Sequence, residues 1–184
     1  MGWLTALAGK RFAQLVSKSY WASQDIDCSP QAVKRYHKPW YEQGIPNGVD
    51  IGTSAILLVM VWCVCLAIIL SDSQLGTRAF IDVCFMMVVG YVLLLTPTNM
   101  LLLKGKRLGV ILYMIALLCD IFVGAIALIC CVRSYIYYYD MSNVIPFFII
   151  SFLLFSIRFL LNSTSFSDYV DFYRIKRVVL GKEC

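Results

Sequence analysis

The chain has 184 residues, 60% of them hydrophobic and 15% charged, with a formal net charge of +5. A soluble domain is nearer half apolar and about a quarter charged, so this composition excludes an ordinary water-soluble globule. The apolar residues gather in four runs, each long enough for the roughly 20 residues that cross a bilayer.

Residues 2–21 predict one amphipathic helix. Trp3, Leu4, Leu7, Ala8, Phe12, Leu15 and Val16 recur at helical spacing, while Lys10, Arg11, Gln14 and Lys18 take the other side. Those cations also interrupt the apolar pattern, so the segment does not read as a signal peptide. A cationic helix with a tryptophan on its apolar face suits a membrane surface; packing on the protein's own cytoplasmic side is the alternative. A short second helix is expected near 30–37, opened by Ser29-Pro30 and closed before Pro39. It carries Lys34 and Arg35, and Lys38, Trp40 and Tyr41 follow as the chain nears the bilayer.

The spans are expected at about 51–70, 79–103, 108–131 and 144–161. Short links make consecutive helices antiparallel. The second span contains Asp82 and a polar break, Thr96-Pro97-Thr98-Asn99; the third contains Asp120; the fourth carries Arg158 near its end. Residues 164–180 resume helical spacing and end in the basic group Arg174, Lys176 and Arg177. Thirteen Lys and Arg residues lie in the N-terminal segment, the second link and the tail; two, Arg78 and Arg133, lie in the other links. Positive charge is retained in the cytoplasm, so both termini are expected there, with the membrane most simply a bacterial inner membrane. The basic segments sit beside lipid and carry no nucleic-acid motif, so lipid, not nucleic acid, is the expected charged partner.

The expected fold is therefore all-α. A cytoplasmic segment (1–49) leads into a four-helix transmembrane bundle (50–162), and a basic cytoplasmic helix and tail (163–184) follow. At the level of architecture this layout resembles small four-helix membrane subunits, among them bacterial immunity proteins and membrane components of anti-phage systems.

Asp120 is the leading functional candidate. An ionised carboxylate at mid-span costs about 2.5–3.5 kcal/mol on the insertion scale, so it should face protein or water. Tyr113, Ala116, Gly124 and Ala127 share its side of the helix, and small residues let another backbone approach. Asp120 then reads as a proton- or cation-responsive site, as a pin between subunits, or as a protonated acid bonded inside the bundle. Asp82 lies about one turn inside the outer boundary and is expected to be structural. Arg158 can snorkel to the headgroups. The Thr96–Asn99 stretch reads as a gate, a ligand-lining bend, or a kink that serves packing.

No metal or cofactor is expected. Cys63 and Cys65 point to nearly opposite faces of a helix, and His37 has no ligand partner at motif spacing. No catalytic constellation assembles, so an enzyme is not expected. The leading expectation is a non-enzymatic interaction or sensing subunit. It would oligomerise through small-residue faces and dock a cytoplasmic partner on its basic surface, with bacterial defence as the expected setting. A small oligomeric channel or carrier, and a factor acting against a pore-forming toxin, are the other two.

Overall fold

The computed structural model describes residues 2–17, 34, 36–39, 42–71, 76–138 and 144–181, apart from the side chains of Trp3 and Tyr138. Among the described residues every regular element is a helix. The chain runs through α1 (Gly2–Ala8), α2 (Lys10–Val16), α3 (Val49–Ser71), α4 (Thr77–Leu103), α5 (Arg107–Tyr138), α6 (Val144–Leu161) and α7 (Thr164–Gly181). Helices α3 to α6 are long and apolar enough to cross a membrane, and they form a four-helix bundle. Lys18, Arg35, Trp40 and the helix start expected at Ser29-Pro30 lie outside the described residues; Tyr36 and His37 are helical.

Each long helix buries a narrow seam at steps of three and four. Ile51, Ser54, Leu58, Val61 and Cys65 line α3, and Tyr91, Leu95, Thr98 and Leu102 line α4. Ile150, Leu153, Ile157 and Leu161 line α6. That spacing keeps one side of a helix against its neighbours along its whole length. Helix α3 packs against α4, α5 and α6 and is the centre of the bundle.

Two boundaries differ from the sequence expectation. Helix α5 was expected to end near residue 131 and continues to Tyr138, because the stretch after Arg133 contains no glycine or proline to stop it. At 32 residues it is about 48 Å long, well beyond a ~30 Å hydrocarbon core. The single helix expected over 2–21 is two helices, divided at Gly9. Its φ of 90° suits a residue without a Cβ, and a Cβ there would lie 2.7 Å from the Asn162 side chain.

Helices α1, α2 and α7 form a cap over one end of the bundle. Helices α1 and α2 meet α6 and α5, and α7 meets α3, α4 and α6. The Phe166 ring of α7 sits edge-on to Phe12 of α2 at 5.9 Å and to Tyr113 of α5 at 6.0 Å. Asn162 Oδ1 accepts the Arg11 backbone N–H at 2.9 Å. Ser163 opens α7 by accepting the Phe166 N–H, and its hydroxyl donates to Asp50 in the first turn of α3. Gln43 donates to the carbonyls of Tyr36 and Lys38, and its Oε1 accepts from Lys176. Burial and a hydrogen bond with Tyr173 push the Tyr169 hydroxyl above the usual tyrosine range.

The α4–α5 turn is built by Gly105, at φ 58°. Its N–H bonds to Leu102 and the Lys106 N–H bonds to Leu101, which closes the end of α4 in a Schellman arrangement. The Tyr173 carbonyl rests where a Gly105 Cβ would stand. This glycine therefore serves both the turn and the seating of α7.

Candidate functional site

The buried seam of α5 runs through Val110, Tyr113, Leu117, Asp120, Gly124, Ala127 and Cys131. It places Asp120 fully inside the bundle, at 0% exposure, about 20 Å along the helix from Arg107. The inward face expected for Tyr113, Ala116, Gly124 and Ala127 is the one observed, since all four are buried. Their neighbours are within the subunit: a Cβ at Gly124 would contact Leu154 and Ile150 of α6. This face, expected to join subunits, is consumed by the packing of α5 on α6.

Polar groups from three helices surround the Asp120 position. Below it, the Tyr113 hydroxyl lies 2.6 Å from Ser54 Oγ. Ser54 uses its own hydrogen on the Ile51 carbonyl, so Tyr113 is the donor of that pair. Beside it, Tyr91 of α4 interacts with Asp120, but no hydrogen bond of ordinary geometry closes between them. The Tyr91 ring stacks on Trp62 of α3, with centroids 4.5 Å apart and planes at 7°. Among the described residues, Trp62 Nε1, the Tyr91 hydroxyl and both Asp120 oxygens lack hydrogen-bond partners. No lysine, arginine or histidine among them pairs with Asp120. The cluster offers a donor, a donor–acceptor and a carboxyl in an enclosed interior, where each unpaired polar group costs about 1–3 kcal/mol.

The other expected site residues fall elsewhere. Asp82 is exposed on α4 and Arg158 is exposed on α6, and neither has an ion-pair partner among the described residues. The Thr96–Asn99 stretch lies inside one helix, α4, which runs through Pro97. The Thr96 and Thr98 hydroxyls donate to the Val92 and Leu94 carbonyls, both at 2.8 Å. Thr96 and Pro97 are exposed, Thr98 is buried and Asn99 is half-buried. Thr96 and Asn99 line a groove of about 300 Å³ between α3 and α4, on the outside of the bundle and apart from the enclosed Asp120.

The basic surface is also divided. Lys10, Arg11, Lys34, Lys38 and Arg177 are exposed. Arg174 is buried and paired with Asp171 at 3.1 Å, and Lys176 donates to Gln43 at 2.8 Å. Arg174 is therefore paired within α7, and Lys176 ties α7 to the segment around Gln43. The Trp3 backbone belongs to α1. Among the described residues no group of three or more His, Cys, Asp or Glu side chains gathers as a metal site, and six cysteines are free thiols.

No family model, curated protein or solved structure matches this chain. Tyr91 and Trp62 are the site residues that sequence reasoning missed. Tyr91 shares the 3–4 spacing of Leu95, Thr98 and Leu102, which marks it as inward, but spacing on one helix does not reveal what a second helix brings opposite.

Proposed function

We propose that this chain is a non-enzymatic subunit of a bacterial inner membrane that oligomerises, senses through its buried polar cluster, and docks a cytoplasmic protein on its cap. The Lys and Arg distribution supports a cytoplasmic cap. One observation carries the reading: a continuous packed column joins the cap to Asp120. Exposed Lys10 and Arg11 flank buried Phe12, Phe12 meets Phe166, Phe166 meets Tyr113, and two turns of α5 lead from Tyr113 to Asp120. A change of charge or occupancy at Asp120 thus has a contiguous path to the basic surface, provided the column has two arrangements to choose between.

The test is affinity capture of the full chain from native membranes, compared with the pair Lys10→Glu, Arg11→Glu and with Asp120→Asn. A cytoplasmic protein should co-purify with the unaltered chain and be lost from the charge-reversed variant. Asp120→Asn should change its yield while α1, α2 and α7 stay docked. Recovery of only lipid and the chain itself would count against docking.

A small oligomeric channel or carrier is the second reading, favoured by the unpartnered oxygens of Asp120. Its other supposed element, the Thr96–Asn99 stretch, looks onto a different surface. Ion or proton flux into liposomes that is indifferent to Asp120→Asn would remove this reading.

A further inference from the structure

The outward side of α6 is a stripe of phenylalanines that ends in polar residues. Phe148, Phe152, Phe155 and Phe159 follow one another at steps of four and three, and each is at least 66% exposed. The next step reaches Asn162, and Arg158 stands on the same side, between Phe155 and Asn162. Arg158 is exposed and forms no ion pair among the described residues.

The cap reaches over the end of this stripe. Gly9, between α1 and α2, lies so close to Asn162 that a Cβ would stand 2.7 Å from its side chain. Arg11 is thereby fixed at the same place. Its N–H bonds Asn162 Oδ1 at 2.9 Å, and its guanidinium reaches the Asn162 carbonyl at 3.5 Å. Arg158 is one turn, about 6 Å, back along α6. Two guanidiniums from distant parts of the chain are thus brought to one helix end, and exposed Lys10 adjoins them. Among the described residues no carboxylate pairs with any of the three.

Cations gathered without a counter-ion repel one another, and an anion between them relieves this. The planar fork of arginine matches a phosphate, which accepts two parallel hydrogen bonds from it. The surroundings decide the source of that phosphate. Arg158 belongs to a spanning helix and is flanked by exposed Phe155 and Phe159, so its anion must itself carry an apolar part. We propose that Arg11 and Arg158 hold the phosphate of an anionic phospholipid whose acyl chains lie along the phenylalanine stripe of α6. A zwitterionic lipid would add an ammonium group to three cations already present, so a lipid of net negative charge is selected. The bound lipid bridges α2 of the cap to α6 of the bundle. Arg158 takes no part in the protein docking proposed above, so the two ideas can fail separately.

The experiment is native mass spectrometry of the full chain, released from detergent after titration with phosphatidylglycerol or phosphatidylcholine. One phosphatidylglycerol should stay bound, and phosphatidylcholine should be held more weakly. Arg11→Gln and Arg158→Gln should each weaken phosphatidylglycerol binding about fivefold, the effect of one basic residue at an anionic surface. Arg158→Lys should keep part of that affinity. Lys106→Gln removes an exposed charge from the α4–α5 turn and should leave binding unchanged. Excess inorganic phosphate should not displace the lipid. Equal retention of the two lipids, a loss with Lys106→Gln as large as that with Arg158→Gln, or displacement by inorganic phosphate overturns the proposal. Arg158 is exposed, so Arg158→Gln reads the site without disturbing the packed interior.

Discussion

Among the described residues, Asp120 has Tyr91 beside it but no hydrogen bond of ordinary geometry to either carboxyl oxygen. Such a residue detracts from stability, so Asp120→Leu should stabilise the protein by about 1–3 kcal/mol. Thermal denaturation in detergent reads this directly, and a destabilised Asp120→Leu would mean that the carboxyl is well bonded in the membrane. Tyr113 is the opposite case: its hydroxyl is paired with Ser54. Tyr113→Phe should cost about 0.5–1.5 kcal/mol in the same assay. The inward face of Asp120 was legible in the sequence because Ala116, Gly124 and Ala127 repeat at helical spacing around it. Tyr91 and Trp62 were not legible, because which residues meet across two helices depends on the rotation of both.

At the scale of elements, two glycines decide where helices stop. Gly9 and Gly105 both have positive φ. Gly105→Ala would add about 1–2 kcal/mol of backbone strain and force the Tyr173 carbonyl aside. Helix α7 should loosen, seen as faster proteolysis between residues 164 and 181 than in the unaltered chain. Unchanged proteolysis would mean that α7 is held without that contact. The four spans were legible because nothing but a membrane suits apolar runs of that length. The division at Gly9 was not, since a glycine within a helical pattern is ordinarily tolerated at about 1 kcal/mol; here Asn162, distant in sequence, takes the space. Pro97 sits inside the single helix expected over 79–103, where the proline removes the N–H that would have bonded Leu93.

For the whole molecule, Phe166 joins the cap to the bundle through Phe12 and Tyr113. Phe166→Ala should cost about 3–5 kcal/mol and release α1 and α2, measurable as amide exchange rising across residues 2–17. Exchange confined to α7 would show that the N-terminal helices are held independently. Composition revealed that cap helices exist at both ends of the chain. That they pack on each other and on the bundle was beyond it, since an amphipathic helix has the same pattern over protein or lipid.

The bond between Arg11 and Asn162 joins residues 151 positions apart. During synthesis, α1 and α2 leave the ribosome first, yet their docking site does not exist until the last span has been inserted. The N-terminal segment must therefore wait, undocked, while the 151 positions that separate it from Asn162 are made. A chain stopped before residue 162 would leave that segment open to quality-control proteases, so the final docking step also reports that insertion is complete.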